Sequence, residues 1–289
     1  MTSVVSKLYL WRDRGLFLGT KHVAARDFTT GSDQLLVCLD GEITRHFENG
    51  QSVTFKSVLL RAGIDIPMKS VESTNSIIAI CHLNSIGQDY FAVKDQMQLE
   101  IEKNFFHHKD EDKIIEKLTY IQENRFNSRE TYQMLDDIIL PGPLKNKVYF
   151  NFDPRVVKVL KHIEDTVREN VSVEELAETV HLSESRLVKL FKSQIGIPIT
   201  RYRIRRRVHV GMVYLCLGYS VTEAALGAGF ASTAHFSKCF SAILGIPPSS
   251  SVVNPPFLDV ILDEVILSEI RKRMEEQLYY KELIGHDED

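Results

Sequence analysis

A segment that occurs twice in the second half of the chain constrains its fold more than any other feature. The first copy, residues 173–198, reads VEELAETVHLSESRLVKLFKSQIGIP, and the second, residues 221–247, reads VTEAALGAGFASTAHFSKCFSAILGIP with one extra residue in its turn. Each copy has the pattern of a short helix, a tight turn, a polar cap at Ser183 or Ser232, and a second helix with one free face. This is the arrangement of a helix-turn-helix, whose second helix can enter the major groove of DNA.

The turn of each copy requires a residue that tolerates positive φ. Gly229 stands in the turn of the second copy and meets this requirement, whereas the first copy has His181 at the same place. We therefore expect left-handed backbone at Gly229, and we expect His181 to fit its turn less well.

The segment between the two copies reads as one long helix that carries five arginines. Apolar residues recur in it at helical spacing and predict one buried side, so the arginine charges are expected to project outward beside the groove helices. The formal net charge of −4 conceals a basic middle, since residues 152–256 carry 13 basic against 9 acidic side chains. Such a run favours a surface that binds a polyanion, and a solvated helix face is the alternative. The arginines are Arg201, Arg203, Arg205, Arg206 and Arg207.

The duplication also admits a helical solenoid. Two copies are fewer than the ~3 repeats that a stable stack requires. The long helix between the copies is a further departure from a stack, so the sequence favours the helix-turn-helix interpretation.

The first third of the chain has the pattern of a β-rich domain. Short apolar runs between polar clusters predict strands over residues 8–83, and the dipeptides Asp40-Gly41 and Asn49-Gly50 predict tight hairpins. Antiparallel strands at this spacing favour a sandwich or a small barrel. From about residue 96 the apolar spacing becomes helical and predicts two amphipathic helices, which end at Pro141-Gly142-Pro143.

Residues 153–250 resemble the DNA-binding module of the AraC/XylS transcription regulators, in which a linker helix joins two helix-turn-helix units. The resemblance lies in LAETVHLSESRLVKLFKSQIG, in Tyr202 and Arg207 of the linker helix, and in GF-x5-F-x3-F-x4-G-x2-P from Gly229 to Pro248. It implies a regulator that binds double-stranded DNA and contacts RNA polymerase. Many members place a cupin-like β-barrel before this module, which implies an effector pocket in the N-terminal domain and a homodimer interface on the two helices that follow it.

The resemblance assigns groove-facing positions on both recognition helices. The lysines offer strong donors to guanine edges, and Val188 and Ala234 would touch thymine methyl groups. Helix capping or solvation is the alternative role for Ser185, Thr233 and Ser237. The assigned residues are Ser185, Val188 and Lys189 in the first recognition helix and Thr233, Ala234, Ser237 and Lys238 in the second.

Four arginines are assigned to the DNA backbone rather than to the bases. Contacts with phosphate fix the register of a protein on DNA and supply most of the salt-sensitive affinity. The four are Arg186, Arg201, Arg205 and Arg206. Because one chain carries both recognition helices, a monomer is expected to read two major-groove segments about one turn, ~10 bp, apart.

The sequence therefore predicts an α+β protein that regulates transcription. We expect a small-molecule effector to bind its N-terminal domain, and the alternative is a regulator controlled by dimerisation or by a protein partner, without a small ligand. The predicted segments are a cupin-like β domain (1–95), helices for dimerisation (96–140), a linker (141–152), the double helix-turn-helix (153–252), and an amphipathic helix with an acidic tail (253–289).

An enzymatic role is not predicted, and neither is a metal or another cofactor. A metal-dependent cupin enzyme usually has two histidines one residue apart, whereas His22, His46 and His82 are isolated on predicted strands. The pair His107-His108 is expected in or next to a helix, where neighbouring side chains point about 100° apart. Phosphate-binding loops, G-x-S-x-G elbows and H-E-x-x-H pairs do not occur in the sequence.

Cysteine usage and hydropathy predict a cytoplasmic protein. The four cysteines form no C-x-x-C pair, so we expect reduced thiols; packing as small hydrophobes is the expected role of Cys38 and Cys81, and redox sensing is the alternative. Apolar stretches stay below the ~18 residues of a spanning helix, and the start MTSVVSKLYLWRDRG lacks the pattern of a signal peptide.

The last predicted element is an amphipathic helix of about seven turns from residue 257 onward. Residues 257–289 carry ten acidic and four basic side chains, next to the basic module. Three roles are open for this segment: packing on the module of the same chain, contact with a second protomer, or competition with phosphate for the arginines.

Overall fold

A computed structural model describes residues 5–20, 27–73, 77–84, 87–251, 258–268 and 270. The predicted fold class is confirmed, because a β-rich region with helices precedes an all-helical module. The strands of the first region are β1 (Ser6–Leu10), β2 (Gly15–Thr20), β3 (Phe28–Thr29), β4 (Gln34–Cys38), β5 (Ile43–His46), β6 (Ser52–Phe55), β7 (Ser57–Leu60), β8 (Asp65–Ile66), β9 (Val71–Ser73), β10 (Ile77–His82), β11 (Met97–Ile101) and β12 (Asn104–His108). Its α-helices are α1 (Asp89–Lys94), α2 (Glu111–Glu123) and α3 (Ser128–Ile139).

A large twisted sheet organises the first region. In the described part of the chain its order is β11-β12-β7-β4-β10-β2-β1, and a strand from the far end of the chain, β13 (Leu258–Leu262), lies beside β1. One apolar core lies between this sheet and α1–α3, with Leu118 of α2 and Leu135 of α3 fully buried in it. A second core, which includes Phe55 and Phe106, lies between the large sheet and a smaller sheet of order β6-β5-β9.

Two sequence predictions for this region need correction. The Asn49-Gly50 hairpin is confirmed, since β5 and β6 pair across it and Gly50 has a φ of 82°. The predicted Asp40-Gly41 hairpin is wrong: Gly41 does turn the chain with a φ of 80°, but β4 pairs with β7 and β10 while β5 belongs to the smaller sheet. Residues 97–108 form the β11–β12 hairpin instead of the start of a helix, so His107 and His108 lie on a strand.

Two buried cations hold the helices of this region to the sheet. Arg14, just before β2, donates Nε and Nη2 to the Asp89 carboxylate of α1 at 2.7 and 2.8 Å, and Nη1 to Asp136 of α3 at 2.8 Å. Lys7 of β1 donates its ammonium to three carbonyl oxygens at the C-terminal end of α2, at 2.6–3.0 Å. A cation satisfies these carbonyls well, because a helix C-terminus carries partial negative charge.

The Gln88 side chain, just before α1, binds the backbone of the predicted linker. Its Oε1 accepts hydrogen bonds from the backbone N–H groups of Tyr149 and Phe150 at 2.7 and 2.9 Å, and its Nε2 donates to the Phe150 carbonyl at 2.8 Å. The Phe150 ring also stacks on Phe91 of α1, with ring centroids 4.5 Å apart. The segment that enters the helical module is therefore held in one conformation.

The module repeats one pattern of helices. Asp153 and Pro154 begin its first helix, as predicted, and Asp153 accepts a hydrogen bond from the Arg155 N–H. Capping boxes at Ser172 and Ser220 begin the first helix of each helix-turn-helix. The helices are α4 (Pro154–Asp165), α5 (Val173–Glu178), α6 (Glu184–Ile195), α7 (Ile199–Cys216), α8 (Val221–Gly227), α9 (Thr233–Leu244) and α10 (Pro248–Ser251).

The turns have the backbone that the sequence predicts. Gly229 has a φ of 82°, and His181 at the matching place of the first copy has a φ of 54°. A Cβ on Gly229 would lie 2.7 Å from backbone atoms of Arg168, so this turn needs glycine for space as well as for conformation. His181 is exposed, and its side chain has room in solvent.

Helix α7 is packed on three sides. Tyr202 belongs to the core of the first helix-turn-helix, and Val208 and Leu215 belong to the core of the second. Its third side faces the N-terminal sheet, where Val213 packs with Leu8 and Leu10 of β1. Because α7 packs against three neighbours, its apolar residues do not form a single stripe. The sequence predicted burial on one side of this helix alone.

The prediction of one continuous helix from residue 257 onward is wrong for its first part. Residues 258–262 form β13, which pairs in parallel with β1, and helical backbone begins only at Glu264. Alternate apolar residues in LDVIL suit a strand as well as a helix, and the open edge of β1 selects the strand. Residues 271–289, with most of the predicted acidic tail, lie outside the described residues.

Substituting Gly229 tests the turn of the second helix-turn-helix. We expect Gly229→Ala to lower the free energy of unfolding by about 2–4 kcal/mol, because it adds a steric clash to the cost of left-handed backbone. The matched control is Gly218→Ala, since Gly218 has a φ of 87° but no atom within 4 Å of an added Cβ. It should cost about 1 kcal/mol. Equal losses in urea unfolding would contradict this account of the turn.

Two half-buried histidines, His82 of β10 and His209 of α7, predict a loss of stability in acid. Burial and Arg205 lower the pKa of His82 to about 4, and burial, Arg206 and His82 lower the pKa of His209 on α7 to about 3. Because both values lie below 6.5, the unfolded chain binds more protons, and stability is lost as the pH falls from about 6.5 toward 4. We expect the melting temperature to fall between about pH 7.5 and about pH 5.

The double variant His82→Asn/His209→Asn should lose less stability over the same pH range. Burial also lowers the pKa of His108 to about 4, so the comparison with the double variant isolates the two interface histidines. The exposed pair His181→Asn/His235→Asn is the control and should behave as wild type. An identical pH dependence in all three proteins would contradict the prediction.

Candidate nucleic-acid interface

The second helix of each helix-turn-helix has one buried face and one exposed face. Leu187 and Phe191 anchor α6, and Phe236 and Phe240 anchor α9, all four side chains being fully buried. The anchors of each helix are four residues apart, so the residue midway between them, Lys189 in α6 and Lys238 in α9, lies on the opposite face and is exposed. Each unit therefore presents a helix face away from its own core.

The groove-facing residues predicted from the resemblance lie on or beside these exposed faces. Ser185, Lys189, Ala234 and Lys238 are exposed, and so is Arg186 next to Ser185. Thr233 and Ser237 are half-buried, and Val188 packs partly against the core of the first unit. Capping explains Ser232 rather than Thr233, since the Ser232 hydroxyl accepts the His235 N–H at 3.2 Å.

The predicted outward projection of the arginine run is wrong for most of its members. Arg203 donates to the carbonyl oxygens of Val171 and Glu169, and Arg207 donates Nε to the Val167 carbonyl at 2.8 Å. Both side chains hold the connection between α4 and α5 and satisfy its backbone acceptors. Arg201, at the N-terminal end of α7, is exposed as predicted.

Arg205 and Arg206 face the N-terminal region instead of solvent. Arg206 forms an ion pair of 2.5 Å with Glu164 of α4 and donates to the Arg12 carbonyl at 3.3 Å. Burial lowers the pKa of Arg205 to about 10, and the nearby Asp33 opposes that shift. The phosphate contacts predicted for these two residues are therefore not available to DNA in this arrangement.

A small cavity of about 10 Å³ lies where Arg205 meets the N-terminal region. Asp33, Arg61 and Tyr90 line it together with Arg205. The Nε atoms of Arg61 and Arg205 are buried and have no hydrogen-bond partner among the residues that the structure describes. Two guanidinium groups against one carboxylate give this cavity an excess of positive charge and unsatisfied donors, which favours an anion.

The C-terminal end of the second recognition helix also touches the N-terminal region. A Cβ on Gly31 would lie 2.5 Å from Cγ2 of Ile243, so glycine permits this close approach between the β3 end and α9. Thr233 and Ala234 lie at the other end of α9, far along the helix from the contact of Ile243 with Gly31.

Several residues of this interface are missed by sequence reasoning. Gln88, Glu164 and Asp33 act through partners more than 25 residues away in sequence, so no local spacing indicates them. Two of the histidines considered as metal ligands have other partners. The His82 ring is hydrogen-bonded to the Ser32 hydroxyl, and His46 Nε2 lies 3.2 Å from Glu72 Oε1. His22 lies outside the described residues. Among the described helices, none is both long and apolar enough to cross a bilayer.

Comparison with known proteins identifies the helical module. A family model described as a helix-turn-helix domain matches residues 176–251. The transcriptional regulator GbdR of Pseudomonas aeruginosa is 32% identical over 107 residues, which are 37% of this chain and 29% of GbdR. The XylDLEGF operon transcriptional activator of Pseudomonas putida is 26% identical over 120 residues, 39% of this chain and 37% of that protein. This chain thus spans about a third of the length of these relatives.

The fold extends the likeness beyond the module. This chain is similar to the crystal structure of apo ToxT K231A from Vibrio cholerae strain SCE256, with a TM-score of 0.58 and 13% identity over 83% of this chain and 97% of ToxT. At this identity the match concerns the fold, and it includes the β-rich region as well as the helices. The duplicated units, the exposed recognition faces and the family match together identify residues 176–251 as a helix-turn-helix domain, similar in sequence to part of these transcription regulators.

Proposed function

We propose that this chain is a transcription regulator that binds double-stranded DNA through α6 and α9. The observation that carries the proposal is the pair of recognition faces, each exposed opposite two fully buried anchors. The relatives that match the module are themselves transcription regulators, which supports the same role here. A chain with two such faces would read two major-groove segments about one turn apart.

The proposed contacts divide into base readout and phosphate binding. Lys189 and Lys238 would donate to guanine edges, with Ser185, Val188, Thr233, Ala234 and Ser237 as the surrounding contacts. The exposed Arg186 and Arg201 are the proposed phosphate contacts. Arg205 and Arg206 join them only if α7 separates from the N-terminal sheet on DNA.

The two lysines should act on different halves of the binding site. We expect the genomic fragments that the full chain retains to share two short sequence segments ~10 bp apart. Lys189→Ala should remove the preference in one segment and Lys238→Ala in the other, each weakening binding to the selected duplex by about 1–3 kcal/mol. Sequencing the fragments retained by each variant, with fluorescence anisotropy on the selected duplex, measures both effects.

Lys161→Ala is the matched control, because Lys161 is an exposed lysine on α4 outside both recognition helices. It should leave both segments intact. If both lysine variants removed the preference in the same segment, or if fragments with a single conserved segment were retained, the two-unit reading of DNA would be wrong.

The cavity at Arg61 and Arg205 favours a second component, an effector that carries a carboxylate. The two unpartnered Nε atoms leave hydrogen-bond donors of two guanidinium groups unsatisfied at this place, and a carboxylate could accept from both. ToxT, which shares the fold, has been solved bound to (E)-4-(8-methylnaphthalen-1-yl)but-3-enoic acid. A cavity of about 10 Å³ holds about one water molecule, so a ligand of this size would have to move α7 away from the sheet.

That butenoic acid is the probe for the effector site. We expect it to raise the melting temperature of the full chain by several degrees, because binding stabilises the folded state. Its methyl ester should have little effect, and Arg61→Gln or Arg205→Gln should abolish the shift while leaving the fold intact. Equal shifts with acid and ester would contradict an anion site at the two arginines.

The alternative without a small ligand depends on dimerisation or a protein partner. The apolar residues of α2 and α3 pack on their own sheet, so a homodimer would use the outer face of α2, where Tyr120 is 54% exposed. Contact with RNA polymerase is part of the same proposal. Failure of any carboxylate to bind, together with a dimer in sedimentation equilibrium, would favour this alternative.

A further inference from the structure

The segment after the module returns to the N-terminal sheet. Strand β13 pairs in parallel with β1, from Ser6 beside Leu258 to Leu10 beside Leu262, and the Asp263 N–H donates to the Leu10 carbonyl at 3.0 Å. The ladder thus covers the edge of β1, whose unpaired backbone groups would otherwise need another partner.

The helical turn that follows β13 contacts the module and the sheet together. Ile266 and Ile270 are 6% and 5% exposed, and they pack in one cluster with Leu8 and Leu10 of β1 and Val213 of α7. Half-buried Cys216, one helical turn beyond Met212 on α7, borders the same cluster. The segment that follows the module therefore contacts both the N-terminal sheet and α7 of the module.

This bridge, residues 258–270, is one of several attachments of the module to the N-terminal region, beside the contacts of Arg206 with Arg12 and of Ile243 with Gly31. Gln88 fixes the segment that enters the module, and β13 fixes the segment that leaves it. Between the two attachments, the side of α7 that carries Arg205, Arg206 and His209 is pressed against the N-terminal region. Among these attachments, this bridge is the one that packs on the C-terminal half of α7, through Val213 and Cys216.

We propose that residues 258–270 form a strap that holds α7 on the N-terminal sheet and keeps Arg205 and Arg206 away from DNA. Releasing the strap exposes the arginine side of α7, which adds phosphate contacts. The effect on DNA rests on the proposed function, whereas the hold on α7 does not. The strap thus makes the module's affinity for any duplex depend on a segment outside both helix-turn-helix units.

The thiol of Cys216 reports directly on the strap. Burial raises its pKa to about 12, so little of the reactive thiolate is present at neutral pH in the folded protein. In the full chain, Ile266→Asp should raise the rate of maleimide labelling at Cys216 by at least about tenfold. The matched control is Val265→Asp in the same turn, because Val265 is 49% exposed and its labelling rate should match wild type.

Cys81 is an internal control for folding. It is fully buried in β10, so its labelling must stay slow in Ile266→Asp if the sheet remains intact. A second variant, Ser6→Cys/Leu258→Cys, joins register partners by a disulfide and should slow labelling of Cys216 below wild type. Rates at Cys216 that are unchanged in Ile266→Asp and in the cross-linked protein would overturn the strap.

Binding to a random-sequence duplex separates the two proposals. Ile266→Asp should bind it several-fold tighter at low salt with a steeper salt dependence, and adding Arg205→Ala/Arg206→Ala should cancel the gain. If labelling rises but affinity does not, the hold on α7 stands and the arginine part of the inference is overturned. If neither wild type nor variant binds any duplex while labelling rises, the strap stands and the proposed function fails.

Discussion

The buried contact between Arg14, Asp89 and Asp136 sets the position of everything that follows it in the chain. The Arg14 guanidinium is 4% exposed, so it needs carboxylate partners; a buried charge left without any partner costs about 3–5 kcal/mol. Asp89 is the first residue of α1, so its contact with Arg14 also fixes Gln88 and Phe91, which hold the linker. The orientation of the helical module thus begins with a cation beside strand β2, more than 130 residues before the module starts.

Helix α7 carries the consequences of that placement. Its residues serve two helix-turn-helix cores and the N-terminal sheet, and few positions remain that could change without affecting one of the three. The five arginines of α7 therefore have different partners, although they are close together in the sequence. Arg203 and Arg207 satisfy backbone acceptors, Arg206 neutralises Glu164, Arg205 remains under-satisfied at the cavity, and Arg201 alone among the five lies in solvent where described.

The sequence predicted what local interactions determine. Periodicity, caps and turn residues identified every helix from α4 to α9, and the buried spacing of Leu187 and Phe191 located the opposite, exposed face of α6. It failed where distant partners decide. Asp40-Gly41 has the residues of a hairpin turn, but β4 pairs with β7 instead of β5. LDVIL fits a helix by its spacing, but it forms a strand because it pairs with the edge of β1. The arginines of α7 resemble DNA contacts in the sequence, but Glu164 and Asp33 lie beside Arg206 and Arg205 in the structure. The individual base and phosphate contacts remain predictions for the same reason, since their partner is a second molecule.

The parallel pairing of β1 with β13 also sets a constraint on biosynthesis. The two strands are separated by roughly 250 residues, so the ribosome must complete the whole helical module before β1 acquires its neighbour. At ~5–20 residues per second this leaves the edge of β1 open for about 10–50 s. During that interval a strand of another chain could pair with the open edge of β1. An exposed lysine on an edge strand opposes such pairing, but the Lys7 ammonium binds the carbonyl oxygens of α2 instead. The edge of β1 therefore lacks its final partner strand throughout this interval.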